Sequence, residues 1–154
     1  MRMLLGEILN QMNEAALVLS LFETVANPLV EPSSCASRLR SLYARCFVYA
    51  LDAAGQLIRV LQEYDQLPSS ARRQCKRYLS QFVAVRDLRN SLQHIEDRLR
   101  GLGRGGVPLP GPLIVLGGFI DNRFGSTTED GRYVEIEMSN SVLAQACAIV
   151  EDLL

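Results

Sequence analysis

The amino-acid sequence predicts a mainly α fold: an antiparallel helical bundle of three long helices and a short C-terminal helix, with a small antiparallel β-hairpin or meander inserted. Before residue 100, apolar residues recur at intervals of three and four, as on the buried face of a helix. After residue 112 the pattern changes to short apolar runs and to an alternation of polar and apolar residues, which indicates strands. The chain has 154 residues, 48% of them apolar, so we predict one domain over residues 1–154.

The first two helices are predicted over residues 3–26 and around the apolar series that runs from Leu39 to Leu61. The first helix is apolar on two sides, so we expect it to be deeply buried or to contact a partner. Residues 28–34 are predicted to be a loop whose serines cap the next helix. The second helix is the most regular, with about eight turns. Gly55 lies inside it, where glycine lowers helix stability slightly and permits close approach of another helix.

A third long helix is predicted over residues 70–100, after a break at Leu67-Pro68-Ser69-Ser70 that supplies a cap. A linker rich in glycine and proline follows over residues 101–112, where neither a helix nor a strand interior is expected. The short connections between helices favour antiparallel neighbours.

The β-insert is predicted over residues 113–138, as two or three strands at one end of the bundle. Leu113–Leu116 is a short apolar run, Glu129-Asp130-Gly131 is a hairpin turn signal, and Tyr133–Met138 alternates polar with apolar residues. A last helix follows, capped by Ser139 or Asn140.

The charge distribution is uneven although the net charge is only -1. Residues 67–104 carry nine basic and three acidic side chains, between two segments that are net acidic. A basic segment of this kind indicates contact with nucleic acid or, equally, a solvated helix face paired with acidic neighbours. The candidate substrate-binding residues within it are Arg72, Arg73, Lys76 and Arg86.

The cysteines and the single histidine argue against a metal site. None of the four cysteines forms a Cys-x-x-Cys pair, so we expect reduced thiols, no metal and no cofactor. Reduced thiols fit a cytoplasmic location. No apolar run is long enough for a membrane span, and Glu7, Asn10 and Asn13 interrupt the N-terminal apolar residues, so we expect neither a membrane anchor nor a signal peptide.

One segment of the third helix has a composition suited to chemistry: Arg89-Asn90-Ser91-Leu92-Gln93-His94. An imidazole can accept or donate a proton at neutral pH, as is needed to activate the 2′-hydroxyl of RNA. A guanidinium presents donors that match phosphate oxygens and stabilises the charge that develops on them. Such a reaction requires no metal ion.

This Arg-Asn-x-x-x-His pattern on a helical domain resembles the HEPN superfamily, whose members carry an Arg-polar-x(3–5)-His motif. The resemblance covers about residues 1–100 and extends to residues 140–154, but not to the β-insert. It implies a homodimer with the two motif helices facing each other across a cleft and, in active members, a metal-independent endoribonuclease, often a toxin or an antiviral defence protein with a cognate antitoxin. Arg89 would then contact the scissile phosphate, His94 would be the acid/base, and Asn90 would support both.

Helix geometry leaves several interpretations open. In a regular helix Arg89 and His94 lie about 140° apart, so Arg89 must reach round, or act across a dimer cleft, or the helix must be irregular. Alternatively, His94 is a surface histidine and Arg89 pairs with an acidic group on a neighbouring helix. The protein would then be a non-catalytic HEPN-like dimerisation or protein-interaction module. A nucleotide-binding regulator is a third interpretation.

Overall fold

The computed structural model describes residues 1–26, 34–112 and 115–154, and the predicted loop at 28–34 lies outside them except for Ser34. The first two helices, α1 (Arg2–Ala26) and α2 (Ser34–Gln62), form the main pair of the bundle. They are antiparallel, because the Arg40 guanidinium near the start of α2 lies 5.4 Å from the ring centroid of Phe22 near the end of α1. Both helices confirm the prediction.

The predicted third helix is three consecutive segments, which corrects the single helix expected over residues 70–100. They are α3 (Ser69–Gln81), α4 (Val83–Gln93) and α5 (Ile95–Leu99). The breaks lie at Phe82 (φ -106°, ψ 25°) and His94 (φ -110°, ψ 38°). Neither residue is glycine or proline, so no local sequence signal marks them. The breaks let α3 pack on α2 and the C-terminal helix, while α4 packs on α2 and the sheet.

The connection between α2 and α3 is held by an arginine rather than by the predicted serine cap. Pro68 occupies the N-cap position of α3 and no side chain caps that end. Instead, the guanidinium of Arg72 donates hydrogen bonds to four carbonyl oxygens of the connection. The acceptors are Gln62 (2.8 Å), Tyr64 (2.6 Å), Asp65 (3.1 Å) and Leu67 (3.3 Å). One of these carbonyls, that of Gln62, is among those that the end of α2 leaves without an intrahelical partner.

The insert forms an antiparallel meander of three strands, β1 (Gly118–Ile120), β2 (Arg123–Thr127) and β3 (Tyr133–Glu137). The apolar run Leu113–Leu116 is only half within the described residues, and that half lies before the first strand of the sheet. Leu113 and Ile114 lie outside the described residues, and Val115 precedes β1, although its carbonyl accepts a hydrogen bond from Thr127 N at 2.8 Å. The turn between β2 and β3 is confirmed, with Gly131 at φ +80°, a conformation that favours glycine.

The inner face of the sheet joins the core through Phe124, Ile136 and Met138, and the alternation predicts the last two. Phe124 lies between Phe119 and Ile136 in the strand register, and the Phe119 ring stacks on Phe22 at 5.5 Å. The linker at 101–112 holds one 3-10 turn, Arg104–Gly106, and a single bridge between Leu102 and Pro108.

The C-terminal helix, α6 (Asn140–Glu151), packs on α1 and α3. Its N-cap is Ser139, whose hydroxyl accepts a hydrogen bond from Val142 N at 3.4 Å, which confirms the predicted cap. The mainly α fold class with a small β-insert is therefore confirmed. None of the described helices combines the length and the apolar character that crossing a membrane requires.

Candidate functional site

Arg89 lies on α4 and is held by two acceptors. Its Nε lies 3.2 Å from Oδ2 of Asp52 on α2, and its Nη1 donates to Oδ1 of Asn90 at 2.9 Å. Asp52 is only 6% exposed, whereas the Arg89 side chain is 32% exposed. In the part of the chain that the structure describes, Nη2 of Arg89 has no hydrogen-bond partner. The guanidinium is therefore fixed in orientation, and one amino group takes no part in these two contacts.

Asp52 is the residue on which this arrangement depends, and sequence reasoning missed it. Its second oxygen, Oδ1, accepts a hydrogen bond from Gln56 Nε2 at 3.1 Å. Both carboxylate oxygens are therefore engaged, as a buried carboxylate requires. The available signal was an acidic residue beside the apolar stripe of α2, next to buried Leu51.

His94 lies at the break between α4 and α5, apart from the Arg89–Asn90 pair. Its side chain is 61% exposed, and Nδ1 lies 3.9 Å from Oδ2 of Asp97, beyond hydrogen-bond distance. The structure thus joins Arg89 to Asn90 but records no side-chain contact between His94 and either of them. The helix is irregular at His94, and Arg89 does pair with an acidic group on a neighbouring helix; both possibilities were open from the sequence.

A cleft of about 50 Å³ opens beside Asn90, between α4, α5 and the turn that joins β2 to β3. The most unusual residue in it is Arg98, a guanidinium that is only 2% exposed. Its Nη1 donates to Leu102 O at 2.6 Å, Nη2 lies 3.9 Å from Oε2 of Glu129, and Nε has no hydrogen-bond partner among the described residues. The lining residues are Asp87, Asn90, Ser91, Arg98, Thr128, Glu129, Asp130 and Arg132.

The charged side chains around this cleft lie close to partners of opposite charge. Nε of Arg132 lies 2.6 Å from Oδ2 of Asp130, and its Nη2 lies 3.6 Å from Oδ2 of Asp87. A hydrogen bond from the Thr128 hydroxyl, followed by the Arg132 guanidinium, lowers the pKa of Asp130 to about 2. Ser91 fixes the turn to α4 through a hydrogen bond to Thr127 O. Three carboxylates beside two guanidiniums give this cleft an excess of negative charge, which makes it unsuited to a phosphate.

The basic residues expected to bind substrate have different surroundings. Four hydrogen bonds of Arg72 serve the connection between α2 and α3, so its role in the structure is to hold that connection. Arg73 and Lys76 are exposed on α3. Arg86 lies near Asp52 and Tyr78, with a buried Nη1 that has no hydrogen-bond partner among the described residues.

The cysteines and acidic residues offer no metal centre within the described residues, where no three His, Cys, Asp or Glu side chains lie close enough together to hold an ion. All four cysteines are free. Burial raises the pKa of the Cys75 and Cys147 thiols, which keeps them protonated and unreactive.

Comparisons with protein-family models, with curated proteins and with solved structures found no match to this chain.

Proposed function

We propose that this protein is an HEPN-type, metal-independent endoribonuclease that acts as a homodimer through Arg89, Asn90 and His94. The observation that supports it is the setting of Arg89. A guanidinium held by Asp52 and Asn90, yet one third exposed, is preorganised to receive a phosphate without reorientation.

The proposed reaction follows from the chemistry of the His94 imidazole and the Arg89 guanidinium. The His94 imidazole removes the 2′-hydroxyl proton of a ribose, and the 2′-oxygen attacks the adjacent phosphorus. The bond from phosphorus to the 5′-oxygen breaks, and a protonated His94 of the second copy returns a proton to that oxygen. The products are a 2′,3′-cyclic phosphate and a 5′-hydroxyl. Arg89 stabilises the charge on the non-bridging oxygens, and Asn90 and Asp52 position Arg89.

The proposal extends to the setting of the protein. Free cysteines fit a cytoplasmic location, where thiols stay reduced. An RNA-cleaving enzyme there would act as a toxin or defence protein and would need restraint by a cognate antitoxin or regulatory protein. A second candidate, a non-catalytic interaction module of the same fold, is favoured by two observations: His94 is exposed without a recorded side-chain contact to Arg89 or Asn90, and Arg89 pairs with Asp52 on a neighbouring helix.

The test is cleavage of total RNA by the purified protein, with and without a metal chelator. We expect cleavage by the wild type in both conditions, loss with His94→Ala, and retention with Gln93→Ala, an exposed neighbour that serves as the matched control. Arg89→Lys keeps the charge facing Asp52 but loses the planar fork, so we expect at least a tenfold lower rate with a normal fold. Equal cleavage by wild type and His94→Ala, or none by either, would exclude the catalytic proposal.

A further inference from the structure

The outer face of α2 carries a mostly apolar seam, with one glutamine, that has the spacing of a helix–helix contact. The seam consists of Leu42, Cys46, Tyr49, Ala53, Gln56 and Val60. These residues alternate steps of four and three, which is the heptad pattern by which one helix packs along another. Leu42, Tyr49 and Val60 are 52%, 38% and 46% exposed, and the other three are half-buried.

The seam lies on the side of α2 opposite the bundle core. The core side of the same helix buries Phe47, Leu51 and Ile58 completely. A helix at the edge of a bundle needs one apolar stripe, and α2 has two on opposite sides. The second stripe therefore indicates a second partner along the length of the helix.

We propose that this partner is α2 of a second copy of the chain, packed antiparallel about a two-fold axis near Leu51. The inference deepens the proposed function and rests on it for the role of the dimer. The two-fold places Leu42 against Val60 of the second copy, and Tyr49 against Ala53 of the second copy. Each large side chain thus meets a smaller one, which is the arrangement that lets facing helices interdigitate. A parallel pair would instead set Tyr49 against Tyr49.

Charge favours the same direction. The first half of α2 carries Arg38, Arg40 and Arg45 and no acidic residue. Directly after α2 come Glu63 and Asp65, both exposed. Basic residues near a helix N-terminus interact unfavourably with the helix dipole, so these arginines destabilise an α2 that has no partner. In the antiparallel pair, Arg38 of each copy lies beside Glu63 and Asp65 of the other.

The seam is connected directly to the candidate site. Gln56, a seam residue, donates to Asp52, and Asp52 holds Arg89 of α4. An axis normal to the plane of the two helices keeps both copies of α4 on one side of the pair. The two Arg89 side chains then flank one groove. A parallel pair, related by an axis along the helices, would send them to opposite sides.

The size of the seam sets the expected affinity. From Leu42 to Val60 it runs about 27 Å, and at a width of about 10 Å it covers roughly 300 Å² of each copy. Two such strips bury roughly 600 Å² in total, below the roughly 1,200 Å² at which standard specific interfaces begin, so the association is expected to be weak. We therefore expect dissociation in the micromolar range, so the oligomeric state has to be measured over a series of concentrations.

Sedimentation equilibrium of the full chain from about 1 to 300 μM tests the surface. We expect the wild type to double its mass across this range, and Ala53→Arg to raise the dissociation constant at least tenfold. Leu17→Arg, at an exposed apolar position on α1, is the matched control and should dimerise as the wild type does. Thermal unfolding of each variant checks that it folds. A wild type that stays monomeric, or equal weakening by both variants, overturns the proposal.

Cross-linking tests the direction and does not depend on the Ala53→Arg variant. In a background of Cys35→Ser, Cys46→Ala and Cys147→Ser, we expect Leu42→Cys with Val60→Cys to form a disulfide-linked dimer on oxidation. Leu42→Cys alone should not. Efficient linkage by Leu42→Cys alone indicates a parallel pair and overturns the antiparallel arrangement. If a monomeric protein cleaves RNA, the ribonuclease activity stands and the α2 dimer surface is excluded. If the protein dimerises through α2 but cleaves no RNA, the dimer surface stands and the ribonuclease activity is excluded.

Discussion

The Arg89 guanidinium lies 3.2 Å from the Asp52 carboxylate, and this ion pair joins α4 to α2 at the point where a buried acid needs a cation. The pair has consequences for stability that are separate from any reaction with RNA.

Removing Arg89 should destabilise the protein through Asp52. With Arg89→Ala the buried carboxylate loses its cation, and we expect the free energy of unfolding to fall by about 2 kcal/mol. This is below the range for fully buried pairs, because the Arg89 side chain is one third exposed. Urea unfolding of Arg89→Ala, Asp52→Ala and the double variant measures the coupling. If the two single effects simply add, the ion pair contributes nothing to the fold.

Gly55→Ala should stabilise α2. A Cβ at this position would lie 3.6 Å from Cε1 of Tyr78, an ordinary contact, so alanine fits and raises the free energy of unfolding by about 0.5–1 kcal/mol. Gly125→Ala is the contrast: its Cβ would overlap the ring of Tyr133 on the next strand, and we expect a loss of about 1–3 kcal/mol. Thermal unfolding distinguishes the two. A lower melting temperature for Gly55→Ala would show that α2 and α3 approach more closely than described.

Arg98 should be replaceable by an apolar side chain of similar length. Its buried Nε has no acceptor among the described residues, so the guanidinium gains little from burial. We expect Arg98→Met to change the free energy of unfolding by less than about 1.5 kcal/mol, and Arg98→Ala, which leaves a cavity, to lower it by about 2–4 kcal/mol. Chemical denaturation of both variants tests this. Equal large losses would mean that the charge itself holds the cleft together.

Asp130 should give the fold a dependence on acid. Its pKa is lowered from 3.8 to about 2 in the folded chain, by the Thr128 hydroxyl first and by Arg132 second. A lowered carboxylate pKa stabilises the fold at pH values above the unfolded pKa, and that contribution is lost as the pH falls from about 4 towards 2. NMR titration of the carboxyl carbons measures the pKa directly. Thr128→Val should return the pKa of Asp130 towards 3.8. An unchanged pKa would show that the Thr128 hydroxyl is not the cause of the shift.

Local signals in the sequence predicted the elements whose cause is local. The apolar series of α2, the Gly131 turn and the Ser139 cap each depend on a few neighbouring residues, and the structure has all three. The breaks at Phe82 and His94 depend on what α3 and α4 pack against. No periodicity within the segment carries that information, so one helix was expected where there are three.

The residues of the candidate site also fall into those that local sequence signals could identify and those that they could not. Arg89, Asn90 and His94 could be selected from their chemistry and spacing alone. Asp52 and Arg98 could not, because Asp52 contacts Arg89 and Arg98 lies near Glu129, and each pair is distant in the sequence. Arg72 was selected for its charge, but its hydrogen bonds serve the backbone of the connection that precedes it.

The hydrogen bonds of Arg72 have a consequence for how this chain can be rearranged. They make the junction of α2 and α3 a rigid corner, with the donor on one helix and its acceptors on the stretch leading into it. A circular permutant that opens new termini at this corner would separate donor from acceptors and fold poorly. Opening the chain at Gly105–Gly106, which is exposed, would leave that corner intact.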